Sequence, residues 1–245
     1  MKIDYSKKFL EFFDKITEPR KIDFLVLHHV EANSVSHAIE QFMEHKVSSH
    51  FLIDEAGNIF ELVDENDVAY HAGVSFWNGC DGLNKNSIGI EFINSSPFSK
   101  KFEEAQMASG VVLCKYLIAR HGIKDSNVVG HSDIAYSKNS GLLDRKQDPS
   151  HLFNWKGLAQ NGVGIFPEIS LNFEDKKLFE VGNKSEEIKK IKEKLKVFGY
   201  RVINLNEEFD IEMQALALVF NRRFLGKDSD VWFLSSDKIL LGIVS

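Results

Sequence analysis

The sequence predicts an α/β fold followed by a small helical unit. Short apolar runs typical of buried strands lie at residues 22–29, 87–93 and 128–130. A longer segment with apolar residues at helical spacing lies at residues 102–121. Beyond residue 184 the chain shows helical periodicity alone. Strands mixed with helices, followed by helices, are typical of an α/β domain joined to a helical one.

Local signals predict further elements in the first part of the chain. Ser36 is predicted as the N-cap of a helix, and Gly122 as the residue that ends the long helix. Two strand-like runs, 49–53 and 59–63, flank a glycine-containing loop and predict a β-hairpin. Residues 132–164 lack regular periodicity and are predicted as loop.

The second part of the chain begins with a clear helix signal. Ser185 is predicted to start a helix that Gly199 ends, and Asp210 is predicted as the N-cap of a second helix at 211–220. The predicted organisation is a domain at 1–164, a linker at 165–183 and a helical domain at 184–245.

Composition excludes several classes of function. The 245 residues are 43% hydrophobic and 27% charged, as in a folded globular protein. The net charge of −6 argues against nucleic acid as the main partner, because phosphate binding usually requires a basic excess. The sequence contains no apolar run of about 18 residues, so no transmembrane segment is predicted.

Cysteine use and the first residues say little about the compartment. Cys80 and Cys114 are too few for a disulfide framework, and the apolar surroundings of Cys114 predict a buried side chain. Asp4, Glu11 and Asp14 interrupt any signal-peptide core. The localisation stays open between the periplasm or cell envelope and the cytoplasm.

Three places carry side chains suited to catalysis or metal binding. His28 and His29 end the first apolar run, and His131 directly follows the short strand at 128–130. The third place is the charged stretch 145–149. Taken singly, each is more often a structural histidine or a solvated charge cluster.

Backbone geometry changes the interpretation of the third place. Pro149 favours an extended conformation at Asp148, and alternate residues of an extended segment share a face. Lys146 and Asp148 are therefore predicted to point into one pocket. Two strand-end histidines and one carboxylate form a ligand set that suits zinc and leaves a fourth position for water.

Two other histidines are possible rival ligands. His45 lies in a polar helical stretch and is predicted to be exposed. His50 precedes the apolar residues 51–53 and is predicted as a packed strand residue.

Six segments, in order, resemble the type 2 zinc N-acetylmuramoyl-L-alanine amidases, the bacterial relatives of phage T7 lysozyme and the peptidoglycan recognition proteins. The resemblance covers about residues 20–160 and rests on VLHH (26–29), VSSHFLI (47–53), AYHAGVS (69–75), LNKNSIGIE (83–91), VGHSDIA (129–135) and RKQDP (145–149), with Phe153 and Trp155 beyond the last.

The resemblance implies a central mixed β-sheet flanked by helices, and a set of site residues. It assigns the zinc ligands to His28, His131 and Asp148. It assigns catalytic roles to Glu91 and Lys146. The positions of His71 and Asn84 match ones close to the substrate groove.

Two departures from the family pattern lie between the second and third ligands. Tyr136 stands where the family usually has proline, and an apparent insertion follows at 137–144. Ser150 follows Asp148 and Pro149, at a position where the family usually has glycine. Both changes leave the ligands intact.

The resemblance implies a zinc-dependent amidase that cuts the bond between N-acetylmuramic acid, or its 1,6-anhydro form, and L-alanine of peptidoglycan. The alternatives are a non-catalytic peptidoglycan-binding protein and a zinc peptidase that acts on the stem peptide. Loss of a ligand is the usual mark of the binders, and no ligand is lost here.

Residues 184–245 resemble a small three-helix peptidoglycan-binding domain, a looser match because most of its positions are core. Their apolar helix faces could instead pack against the first domain or form a homodimer.

Overall fold

The computed structural model describes residues 1–7, 11–169 and 172–244, so Ser170 and Leu171 of the predicted linker lie outside the described residues. Its strands are β1 (Ile3–Asp4), β2 (Phe13–Asp14), β3 (Phe24–Val30), β4 (Phe51–Ile53), β5 (Ile59–Glu61), β6 (Val68–Ala69), β7 (Phe76–Trp77), β8 (Cys80–Asp81), β9 (Ser87–Ile93), β10 (Val128–Gly130), β11 (Lys177–Phe179) and β12 (Trp232–Phe233). Its α-helices are α1 (Val35–His45), α2 (Glu104–His121), α3 (His131–Ile134), α4 (Trp155–Gln160), α5 (Glu186–Phe198), α6 (Ile211–Phe224) and α7 (Leu234–Val244).

A mixed six-stranded sheet forms the centre of the molecule, in the order β1-β5-β4-β9-β3-β10. The hairpin β4–β5 is antiparallel, whereas β9, β3 and β10 run parallel to one another. The predicted strand at 87–93 matches β9, and both the hairpin and the strand at 128–130 are confirmed. The expected fold class, a central mixed sheet flanked by helices, is confirmed.

The two faces of the sheet are covered by different helices. On one face, Leu25 and Leu27 of β3 pack in a cluster with Leu113 and Leu117 of α2. On the other face, Val26 packs in a cluster with residues of α5, α6 and α7. Because alternate residues of a strand point to opposite faces, His28 lies on the same face as Val26.

Helix ends follow the local sequence, with one correction. The N-cap of α1 is Ser34, not Ser36, because Ser34 has the extended backbone and its Oγ accepts a hydrogen bond from the His37 amide at 3.2 Å. Gly122 ends α2 in the left-handed conformation, as predicted. The predicted loop 132–164 is wrong in part, because it contains most of α3 and all of α4. Both helices are too short to show a periodic pattern.

The helices after residue 184 share a buried core with the first part of the chain. Trp77 is fully buried, and its ring lies 5.4 Å from that of Phe198 and 4.8 Å from that of Tyr200. Gly199 permits this approach, because its φ is +135° and a Cβ there would come within 2.7 Å of the indole. The strand β11, which lies in the predicted linker, pairs with β12 near the start of α7. The predicted starts of α5 after Ser185 and of α6 after Asp210 are confirmed.

Among the described residues, no helix combines the length and apolar character needed to cross a bilayer.

Candidate metal centre

The site lies where the parallel strands β3, β9 and β10 end. His28 is near the end of β3 and pairs in register with Glu91 of β9. His131 follows β10 directly and begins α3. Because the carboxyl ends of parallel strands meet at one edge of a sheet, side chains at these positions converge.

Three side-chain donors meet at this edge. Nδ1 of His28 lies 3.1 Å from Nδ1 of His131, and both nitrogens lie close to Oδ2 of Asp148, at 3.0 and 3.1 Å. The three residues form a group whose ligand atoms all lie within 4.8 Å of one another, so one ion could contact all of them. The structure thus brings together the three predicted ligands.

The ionisation states of His28 and Asp148 favour binding of a cation. Burial, followed by the nearby His131, lowers the pKa of His28 to about 4, which leaves a neutral ring. Burial works against ionisation of Asp148, but the charge interaction and hydrogen bond with His131 and the bond with His28 hold its pKa well below the usual range. Neutral imidazole and ionised carboxylate are the forms that bind metals.

A chain of hydrogen bonds orients the His28 ring. Its Nε2 lies 3.0 Å from Nδ1 of His71, and Nε2 of His71 lies 3.1 Å from Oγ of Ser87. The Ser87 hydroxyl donates to the carbonyl oxygen of Leu83 at 2.7 Å. Since that carbonyl can only accept, each donor must point along the chain towards it, and the proton of His28 lies on Nε2. The Nδ1 lone pair of His28 is therefore directed at the centre.

Gly89 makes room for this chain on the surface of β9. A Cβ at Gly89 would come within 2.5 Å of the His71 ring. Ser87, Gly89 and Glu91 share one face of the strand, so the His71 ring covers the gap between the other two side chains.

His131 has its own support. Its Nε2 lies 3.1 Å from the carbonyl oxygen of Ala72, which fixes the proton on Nε2 and directs Nδ1 at the centre. Arg145 donates to the same carbonyl and to that of Val74, both at 2.8 Å. No local sequence signal indicates a role for Arg145, because the two carbonyl oxygens to which it donates lie 73 and 71 residues away in the chain.

Glu91 is a buried carboxyl group beside the ligands. Its Oε2 is buried without a hydrogen-bond partner. Burial, and then the nearby Asp148, raises the pKa of Glu91 well above its ordinary value, whereas Lys146 acts in the opposite direction. A carboxyl group whose pKa is raised is a stronger base than an ordinary glutamate, which suits a group that accepts a proton and passes it on.

These residues line one cavity of about 490 Å³. Lys146 is exposed at this cavity, so its ammonium group can reach a bound molecule. His29 also lines it and packs against Phe98, with ring centroids 5.4 Å apart.

The remaining histidines fall outside the ligand group. His50 is fully buried and its Nδ1 accepts from the Gly89 amide at 3.0 Å, while His45 is exposed. The exposure of His45 and the burial of His50 agree with the sequence prediction, although His50 precedes β4 and is not part of a strand. Asn84 and His71, expected near the substrate groove, have contacts within the chain: Oδ1 of Asn84 accepts from the amides of His71 and Ala72 at 3.2 and 2.7 Å.

A family model, described as N-acetylmuramoyl-L-alanine amidase, matches residues 18–151, which is more than half of the chain. The chain belongs to this family. It is 37% identical over 168 residues to the N-acetylmuramoyl-L-alanine amidase AmiD of Escherichia coli, an alignment that covers 62% of this chain and 58% of that protein. It is 30% identical over 164 residues to the 1,6-anhydro-N-acetylmuramyl-L-alanine amidase AmpD of Haemophilus influenzae, covering 59% of this chain and 84% of that protein.

Two solved structures are similar to this protein over nearly the whole chain. AmiD in complex with anhydro-N-acetylmuramic acid-L-Ala-D-gamma-Glu-L-Lys gives a TM-score of 0.76 at 27% identity and covers 94% of this chain and 91% of that one. AmpDh3 of Pseudomonas aeruginosa, in complex with an anhydromuramic pentapeptide, gives 0.72 at 25% identity and covers 99% and 97%. The likeness therefore includes the helices after residue 184.

The residues that depart from the family pattern make defined contacts within the structure. The guanidinium of Arg201 lies 4.4 Å from the centroid of the Tyr136 ring. Arg201 also donates to the carbonyl oxygen of Gly141 in the insertion at 2.6 Å. Ser150 is buried and its hydroxyl donates to the carbonyl oxygen of Pro97. The loop between the second and third ligands thus contacts the helical unit.

Proposed function

We propose that this protein is a zinc-dependent amidase that hydrolyses the bond between N-acetylmuramic acid and L-alanine in peptidoglycan or in muropeptides released from it. The observation that carries the proposal is the convergence of His28, His131 and Asp148 beside the buried carboxyl group of Glu91. Membership of the amidase family supports the reaction type.

The donor set fits zinc. Two imidazole nitrogens and one carboxylate oxygen match the ligands of catalytic zinc sites with three protein ligands. Both imidazoles have their second nitrogen engaged as a donor, to His71 and to the Ala72 carbonyl, as metal-bound histidines usually do. When bound here, zinc would lower the pKa of a water molecule and polarise the amide carbonyl.

The other residues have distinct roles in the proposed reaction. Glu91 would take a proton from the attacking water and deliver it to the nitrogen of the departing L-alanine, a transfer that its raised pKa favours. Lys146 would donate to the carbonyl oxygen as negative charge develops on it. Its exposure at the cavity allows that contact.

The substrate class follows from the relatives. AmiD and AmpDh3 were each solved with an anhydromuramyl peptide, and AmpD is named for the 1,6-anhydro form. We propose that anhydro-muropeptides are accepted by this protein. Wall binding by residues 184–245, a periplasmic or envelope location and a homodimer stay predictions.

Mass spectrometry of reaction products tests the reaction. The purified protein, incubated with an anhydro-muropeptide and separately with intact sacculi, should release a peptide that begins with L-alanine. Cleavage within the peptide would identify a stem peptidase, and no cleavage by metal-loaded protein would identify a binder; either result contradicts the proposal.

Metal analysis tests the zinc site. The native protein should hold about one zinc ion per chain, and chelation should abolish activity. His131→Ala should lose the metal, whereas His121→Ala should retain it. His121 is a suitable control because it pairs with Glu65 at 3.1 Å, apart from the ligand group.

A further inference from the structure

We propose that the C-terminal helical unit positions the metal ligand His131, through Arg223 of α6 and Tyr200, which follows α5. The proposal rests on the proposed zinc site and assigns these two residues a positioning role. It makes the helical unit part of the construction of the metal centre, in addition to any role in wall binding.

The segment that carries His131 has little stability of its own. The helix α3 is a single turn of four residues. The Ala135 amide donates to the His131 carbonyl oxygen at 2.9 Å at the end of this turn. A turn this short is not stable by itself, so contacts with its side chains must set its orientation.

Asp133 is the side chain that holds this turn. It is fully buried, and its Oδ2 accepts from the Gly130 amide at 2.8 Å, which closes the start of the turn. A buried carboxylate needs further partners, because its desolvation is costly. Both of those partners come from the helical unit.

Arg223 and Tyr200 supply them. Nη1 of Arg223 donates to Oδ2 of Asp133 at 2.7 Å, and the Tyr200 hydroxyl donates to Oδ1 at 2.9 Å. Nη2 of Arg223 donates to the carbonyl oxygen of Val128 at 3.0 Å, at the start of β10. Arg223 therefore contacts both the strand that leads to His131 and the turn that contains it.

The same unit also holds the loop that leads to the third ligand. Arg201 contacts Tyr136 and the carbonyl oxygen of Gly141 in the insertion. The Ser132 amide donates to the carbonyl oxygen of Asp148 at 2.7 Å, which ties the turn of His131 to the backbone of the third ligand. A shift of α6 would therefore move His131 and Asp148 relative to His28, which lies in the central sheet.

Lys192 provides a matched control. Its side chain is as buried as that of Arg223, at 0% and 1% exposure, and it pairs with Asp210. Lys192 also bonds to Asn206, so its partners lie within the helical unit. Removing either cation leaves a carboxylate without a charged partner, but only Arg223 has contacts that reach the metal site.

The test is the metal affinity of the 245-residue protein. Arg223→Met, Arg223→Lys, Tyr200→Phe and Lys192→Met are stripped of metal, checked for folding by circular dichroism, and titrated with zinc against a chromogenic chelator. Cobalt is titrated in parallel, because its visible absorption spectrum reports ligand geometry without any turnover.

Arg223→Met is expected to raise the zinc Kd by about tenfold or more, as loss of outer-shell support does in other metal sites. Tyr200→Phe should raise it less, and Arg223→Lys should restore part of the loss, since lysine keeps the charge but not the forked contact. The cobalt spectrum should change in Arg223→Met and stay native in Lys192→Met.

Equal zinc Kd values and native cobalt spectra in the folded Arg223 and Tyr200 variants would overturn the inference. If Arg223→Met does not fold, Arg223→Lys and Tyr200→Phe decide the outcome, because each keeps most of the side chain. Failure of the native protein to bind either metal would contradict the proposed zinc site itself, a result distinct from the first.

Discussion

Nε2 of His28 lies 3.0 Å from Nδ1 of His71, and both rings are buried. This contact ties a proposed ligand on β3 to a ring that covers Gly89 of β9. The chain continues through Ser87 to a backbone carbonyl, which fixes the direction of every donor in it. The imidazole that would bind the metal is thus oriented by His71 and Ser87. The polar side-chain atoms of both residues are already engaged in this chain of hydrogen bonds.

Replacing His71 separates its two possible roles. His71→Ala removes the acceptor for Nε2 of His28, so we expect zinc affinity to fall about 10- to 100-fold. Chelator competition on the folded, metal-free variant measures this. A raised KM with an unchanged zinc Kd would show that His71 contacts the substrate, as the family resemblance implied.

Glu91→Gln should lower the catalytic rate and raise the stability of the metal-free protein. Loss of the acid–base group should lower kcat by a factor of roughly 100 to 10,000. In the metal-free protein, the raised pKa of Glu91 lowers the free energy of unfolding as pH rises above the ordinary glutamate pKa. The reason is that the folded state keeps the Glu91 proton to a higher pH than the unfolded state does.

Glutamine cannot ionise, so metal-free Glu91→Gln should unfold at a higher temperature than the metal-free native protein at pH 8. The difference should shrink at pH 5. Near-normal turnover in this variant would show that another group carries the proton.

Lys146→Ala should lower kcat by about 100- to 1,000-fold and leave zinc content unchanged. The Lys146 side chain is exposed, so the unfolding temperature should stay close to that of the native protein. Lys138→Ala, another exposed lysine of the same loop, is the control and should keep native kcat. Equal rates in the two variants would assign the oxyanion contact elsewhere.

Local patterns predicted the parts of the fold whose causes are local. The run at 87–93 is apolar enough to identify β9 to the residue, and Gly122 marks the end of α2 because a helix often ends in the left-handed conformation. The ligands could be predicted because strand ends and the family motifs place them. The short helices α3 and α4 could not, since four to six residues give no periodicity.

Contacts between residues far apart in the chain could not be predicted from the sequence. Asp133 and Arg223 are 90 residues apart, and no local pattern around either residue indicates that the other is its partner. The apolar faces of α5 and α6 predicted burial but not the surface that covers them. The structure shows that this surface includes Val26 and Trp77 of the first part of the chain.

The metal-free protein should lose stability as pH falls below about 6.5. Burial lowers the pKa of His28 and His29 to about 4 and that of His50 to about 3. The unfolded chain takes up these protons from about pH 6.5 downward while the folded protein does not, so the free energy of unfolding falls as the solution is acidified. The loss should be on the order of a few kcal/mol by pH 4, with Glu91 acting in the opposite direction.

Thermal unfolding between pH 7.5 and pH 4 measures this slope. His50→Gln should flatten it, because glutamine does not titrate, whereas His45→Gln should not, because His45 is exposed. A slope that is the same in native protein and His50→Gln would show that other groups control acid unfolding.

A protein that ends at residue 164 tests whether the first predicted domain is independent. Val26, Trp77 and Val129 share a buried cluster with residues of α5 and α6. Truncation would expose these apolar side chains and leave the buried Asp133 without Arg223, so we expect aggregation and loss of metal binding. Size-exclusion chromatography and zinc titration of the shortened protein measure both. A monomeric, zinc-binding product that cuts soluble muropeptides would instead support an independent first domain, and its weaker retention by sacculi would then assign wall binding to residues 184–245.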